Sequence, residues 1–219
     1  IEPLEMHSSG GAELTLQADG SILASGTNAE RDDYLLACRP KVPRITAIRL
    51  EALPHPSIAR SGSGRSGLGN FHLNEFKVVS AGEVVSLREV ETSYAEKPFA
   101  PEKIIDGEID GNRWGIWGAV STKQTALFST DFSRSVDDDV KLELFFSRGD
   151  YIRHNLGCFR LSVSSDPNTF ARARQQLASQ KLTDPWRRLA AAYALIGDQE
   201  AQQTILQQHS GVANNAPSE

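Results

Sequence analysis

The chain has 219 residues, of which 39% are hydrophobic, and a formal net charge of −5. That length suits one large domain, or a domain with an appendage, and a mildly acidic balance without a basic stripe argues against nucleic acid as a partner. No apolar run is long enough for a transmembrane helix and no signal-peptide pattern is visible.

Residues 1–11 include His7-Ser8-Ser9-Gly10-Gly11 and read as a flexible lead-in. From there to residue 165 the pattern is strand-like. Glu13–Gln17 alternates polar and apolar, Asp19-Gly20 marks a turn, and Ser21–Ser25 resumes. Strands are expected over 33–38 and 44–53, where alternation puts Ile48 and Leu50 on one face and Arg49 and Glu51 on the other. Pro54 to Asn70 is a Gly-, Ser- and Arg-containing loop suited to carrying contacts. Further strands are expected at 71–78, 84–87, 114–117, 124–129, 140–147 and 158–164. Asp166-Pro167 and Asp184-Pro185 are helix-start signals, and Gly197-Asp198 is a break. They predict helices over 167–181, 185–196 and 199–209, then a disordered polar tail over 210–219. The predicted domains are a β-sandwich over 12–165 and a helical extension over 166–209.

An internal echo supports the sandwich. Asp19-Gly20, Arg49-Leu50-Glu51 and Phe71-His72-Leu73 return as Asp110-Gly111, Lys141-Leu142-Glu143 and Phe159-Arg160-Leu161. Repetition of a strand pattern points to a mainly β, antiparallel sandwich built of two related halves. Cys38 and Cys158, the two cysteines, both lie in apolar strand-like stretches. They read either as buried thiols or as a bond between the halves.

Several polar groups are candidates for chemistry. Asp106, Glu108, Asp110 and Asn112 place oxygen ligands at every second residue, as a loop around calcium does. The alternative is a surface turn in which Asp and Asn cap their own backbone. The loop lacks the final bidentate Glu of a helix-loop-helix calcium site, since Trp117 stands there. Trp114 and Trp117 lie three apart, so on a strand they face opposite sides: at most one is core, and the other is free to stack on a sugar ring. His72 and His154 occupy comparable places in the two halves, with Arg153 beside the second. They mark either a polar site or two strand-edge residues. No phosphate loop, nucleophile elbow or His-Glu-x-x-His motif occurs, so no catalytic residue is expected.

The run Ile45–Ile58, then Gly64-Arg65, Gly69–Phe76, Ile105-Asp106-Gly107 and Leu156–Ser162, resembles a segment of large planctomycete proteins with cytochrome-c-like or serine/threonine kinase-like domains. More distantly, Ile105-Asp106-Gly107 followed by Trp114 is similar to galactose-binding-like jelly rolls, the group of discoidin-type and carbohydrate-binding modules. That likeness implies a jelly-roll sandwich, a structural calcium ion held from Asp106 and Asp110, and a saccharide ligand. Trp186, Leu189, Ala190, Tyr193, Gly197-Asp198 and Ala201 resemble a tetratricopeptide repeat. One repeat cannot bury its own apolar face, which implies packing on another domain of the chain or on further repeats. A chain that opens on Ile1 rather than Met then reads as a fragment of a larger protein, with an extracytoplasmic setting open. The expected function is a non-catalytic recognition module for carbohydrate, with Trp114, Trp117, Arg65, Arg153 and His154 as contacts. A protein-interaction or spacer module is the alternative.

Overall fold

The computed structural model describes residues 1–109 and 112–209. Asp110 and Gly111 of the second Asp-Gly turn, and the tail expected over 210–219, lie outside the described residues. The chain forms two compact units, Ile1–Thr169 and one that begins at Phe170.

Strands of the first unit run β1 (Pro3–Ser8), β2 (Ala12–Leu16), β3 (Ile22–Gly26), β4 (Asp32–Cys38), β5 (Arg44–Ala52) and β6 (His72–Ser80). They continue as β7 (Glu83–Val84), β8 (Glu89–Thr92), β9 (Trp114–Gly115), β10 (Gln124–Ser133), β11 (Val140–Phe146) and β12 (Cys158–Ser164). One antiparallel sheet has the order β1-β4-β11-β6-β7, with β9 also on β6, and the other β2-β3-β12-β5-β10-β8. From β3 to β6, and again from β10 to β12, successive strands alternate between the sheets, which is jelly-roll connectivity.

Period-two patterning drives the packing. Tyr34, Leu36 and Cys38 of β4 and Val140, Leu142, Leu144 and Phe146 of β11 are buried, and the residues between them are not. Across the sandwich, Phe76 of β6 meets Phe128 of β10 with ring centroids 4.4 Å apart, and Tyr34 stacks on Phe159 at 5.9 Å. The Tyr34 hydroxyl donates to the Leu156 carbonyl at 2.8 Å, which satisfies its polar end in the core. Cys38 and Cys158 are both free and buried. They belong to different sheets and serve as small core residues.

Two expectations, the flexible lead-in and the aligned echo, need correction. The lead-in expected to be flexible contains β1, whose Met6 and His7 pair with Leu36 and Leu35 of β4. Glu51 lies on the outer side of β5 but is only 2% exposed, because Arg160 and Lys123 close over its carboxylate at 2.9 and 3.3 Å. The echo is real in topology and shifted in register. The first strand of each half pairs with the second strand of the other: β5 with β12 and β11 with β6. Yet Leu161 faces Leu50, whereas Leu73 faces Phe146 and Leu142 faces Val78. The two basic-Leu-Glu triplets are therefore not structural equivalents.

Three helices follow, α1 (Thr169–Gln180), α2 (Pro185–Leu195) and α3 (Gln199–His209), all in the second unit but for Thr169. Asp184 caps α2 by accepting from the Arg187 amide at 2.7 Å, with Pro185 in the first turn. Trp186 of α2 stacks on His209 of α3. Among the described residues no helix is long and apolar enough to cross a membrane.

Candidate functional site

The loops joining β5 to β6 and β11 to β12 meet at one end of the sandwich. Gly64 bridges to Leu156, the Gly157 amide donates to the Ser63 carbonyl at 2.7 Å, and the His72 amide donates to the His154 carbonyl at 2.7 Å. The approach is too close for a side chain at Gly64, where an added Cβ would stand 2.1 Å from the Asn70 carbonyl.

This junction brings His72 and His154 together, with rings stacked 4.5 Å apart at 8°. His72 also reaches Glu96, from the segment between β8 and β9, through an Nε2 contact of 2.8 Å to Oε1. Glu96 Oε2 accepts from the Asn70 amide group at 3.1 Å and from the Trp117 backbone amide at 2.7 Å. Burial raises the Glu96 pKa, but these donors outweigh it and hold the carboxyl below its ordinary value. Burial lowers the His72 pKa and prevails over Glu96. The pair is thus a neutral imidazole donating to a carboxylate. Gly115 packs against it so closely that an added Cβ would fall 2.6 Å from His72 Cδ2 and 2.7 Å from the Glu96 carboxyl carbon.

Beside this pair, the Arg113 guanidinium lies against the rings of Phe99 and Tyr151, at 4.0 and 4.1 Å, the two rings standing perpendicular to each other at 87°. Its Nε and Nη1 are buried and have no hydrogen-bond partner, nor has His72 Nδ1. Each such group costs about 1–3 kcal/mol if left unpaired.

The expected contact residues divide. Trp114 is fully buried, edge-on to Phe71, with Nε1 donating to the Tyr94 carbonyl, so it is a core residue with no face for a ligand. Trp117 is 46% exposed, and the Arg60 guanidinium lies 5.7 Å from its ring centroid. Arg65 is a staple, donating to the Thr27 and Gly26 carbonyls at 2.7 and 2.8 Å. Arg153 is exposed at a bend of φ 61°, and its amide donates to the Glu30 carbonyl. His154 is half-buried in the cluster.

Of the expected calcium ligands, Asp106 accepts the Glu108 amide at 2.9 Å, the self-capping turn, and Glu108 is exposed. Asn112 Oδ1 accepts the Ala100 amide at 3.4 Å. Among the described residues no group of three or more acidic, His or Cys side chains is arranged for a metal. The turn does face one group that sequence patterns miss. Glu75 of β6 is 2% exposed, takes the Gly107 amide on Oε1, and has no partner for Oε2. Burial, with Asp106 adding to it, pushes its pKa up to about 7 against the pull of the Gly107 amide and Lys77.

At the other end of β6 a cleft of about 630 Å³ is lined by Ser80, Val84, Arg88, Asp131, Phe132 and Arg134, among others. Its volume is that of a small-molecule site, and two of its charged side chains, Asp131 and Arg134, are engaged. Arg44 holds Asp131 in a two-point pair at 2.7 and 2.9 Å, and Arg134 donates to the Pro40, Val42, Val136 and Asp138 carbonyls.

Glu96, Arg113, Phe99 and Tyr151 had no sequence signal beyond Arg113 standing next to Trp114; each is a single residue in a loop. No protein-family model, curated protein or solved structure matches the chain.

Proposed function

We propose that the sandwich is a non-catalytic recognition module of a larger protein, galactose-binding-like in kind, and that its ligand is a carbohydrate bound at the loop end. The carrying observation is Trp117. Its indole is exposed, while its backbone is fixed by the Glu96 carboxylate on the amide and the Tyr94 hydroxyl, at 2.6 Å, on the carbonyl. A rigid exposed indole is a stacking face for a sugar ring at small entropic cost. The non-catalytic part of the reading is supported by His72, whose Nε2 proton is spent on Glu96 in a buried pair. A glycan array followed by calorimetric titration tests the reading. Saccharide binding that Trp117→Ala weakens at least tenfold is the expected result; no saccharide binding by the intact chain overturns it.

A structural calcium ion at the Asp106 turn belongs to the same proposal. The orphaned, buried Glu75 Oε2 supports it, since a cation is what an unpaired buried carboxylate lacks. Calcium should raise the melting temperature of the intact chain and leave that of Glu75→Gln unmoved; equal response in both sinks it.

A protein-interaction module is the second reading, favoured by the helical unit. Trp186, Leu189, Ile196 and Leu206 are all exposed there, Ile196 by 75%. Ile196→Asp should abolish capture of repeat-containing regions of the parent protein, and unchanged capture refutes this reading.

A further inference from the structure

The cage around Arg113 has more donors than acceptors. Phe99 and Tyr151, their rings 6.2 Å apart and perpendicular at 87°, both lie against the guanidinium, and its Nε and Nη1, one on each of its two forked edges, have no acceptor. Glu96, the carboxylate of the cage, has both oxygens engaged by His72, Asn70 and the Trp117 amide. No ion pair joins Arg113 to any carboxylate among the described residues. The planar fork of a guanidinium matches a carboxylate with two parallel N–H bonds. We infer that the cage is a carboxylate-binding site, that the segment Gly149–Ile152 closes it as a displaceable strap, and that its ligand is an acidic saccharide bearing a uronic-acid carboxylate. This rests on the saccharide reading of the loop end.

The strap is pinned at both sides and loose between. Arg148 donates to Phe146, Asp33 and, through its amide, Asn74, and the Arg153 amide donates to Glu30. Bends with positive φ stand at Ser147, Gly149 and Arg153 (59°, 67° and 61°). Between those points the strap is tied by the Tyr151 ring and by one hydrogen bond, from His154 Nδ1 to the Ile152 carbonyl at 2.8 Å. Tyr151 and Ile152 are 40% and 45% exposed. Asp150, also on the strap, lies within charge range of Arg113 without pairing to it. Swinging Tyr151 outward opens the guanidinium to a ligand. Glu96 lies within charge range of Arg113 and accepts from the Trp117 amide, so one carboxylate stands beside both groups. An acidic sugar would use both, ring on indole and carboxylate on guanidinium.

Titration of the full chain with methyl glucuronide, methyl glucoside and sodium acetate, by calorimetry and by NMR of the arginine Nε–H resonances, tests this. Glucuronide should bind at least about tenfold tighter than glucoside, the scale of one charge-assisted hydrogen-bonded pair. Arg113→Met should abolish that preference, Arg113→Lys should retain part of it, and Tyr151→Ala should keep or tighten glucuronide binding. Circular dichroism melts confirm that each variant is folded. Equal affinity for the two glycosides, or an acid preference that survives Arg113→Met, overturns the inference while leaving the saccharide reading intact. If neither glycoside binds, the saccharide class falls and acetate decides the site. A shift of the Arg113 Nε–H resonance that Arg113→Met removes supports a carboxylate site, and no shift overturns it.

Discussion

The two ends of β6 treat arginine in opposite ways. At the cleft end, Arg134 is buried and gives its guanidinium to four backbone carbonyls. At the loop end, Arg113 is held by two aromatic rings, with two nitrogens unpaired. Arg134 leaves only its Nε unpaired, whereas Arg113 leaves Nε and Nη1. Cavity size alone does not choose between the ends, because recognition needs groups whose hydrogen bonds are still to be made.

The largest expected effect tests whether the loop end is ordered from within. Glu96→Ala removes the acceptor of His72, Asn70 and the Trp117 amide together, and should cost about 3–5 kcal/mol in urea unfolding. A cost under about 1 kcal/mol would mean that the loops order without it.

The comparison itself is broken or upheld by paired substitutions. Arg134→Met should cost about 3 kcal/mol, since several buried carbonyls lose their donor. Arg113→Met should cost less than about 1 kcal/mol, because it forfeits cation–π contact and sheds unpaired polar atoms. Equal costs would erase the distinction between the two ends.

Glu75 gives a pH-dependent version of the same contrast. Its folded pKa is raised to about 7 from 4.5, so the stability tied to its neutral form is full below pH 4.5 and is lost as pH rises through about 7. Glu75→Gln should therefore stabilise the chain by roughly 2–3 kcal/mol at pH 8 without calcium, and by little at pH 4.5. A gain that does not depend on pH would show that ionisation is not the cost.

Trp117→Ala should change stability least, by about 0.5 kcal/mol or less, since the indole is already half in water. A loss above about 2 kcal/mol would make Trp117 a core residue and remove the rim from the proposal.

Strand periodicity placed β2 to β6 and β10 to β12 within a few residues, because alternation along a half-buried strand is a local property. The helix starts were equally legible, since Asp-Pro caps act within one turn. β1 escaped because its Ser-Gly-rich flank suggests no strand, and only β4 gives it a partner. The Gly-x-Phe-x-Leu echo exposed a two-half sandwich but misplaced the equivalent residues. Register is fixed by which strand pairs with which across the sequence. Among site residues, the spacing of Trp114 and Trp117 required opposite faces, but burial alone assigned Trp114 to the core and Trp117 to the rim.

The sequence by itself determined the fold class, most element boundaries and the boundary between strands and helices, all of which follow from local periodicity and capping. The tertiary structure alone decided that His72, Glu96, Arg113, Tyr151 and His154 form one cluster. These residues come from the first residue of β6 and from two loops, β8 to β9 and β11 to β12, brought together at one end of the sandwich. The free energy that assembles them lies in the core packing and strand pairing beneath, and has no local signature along the chain.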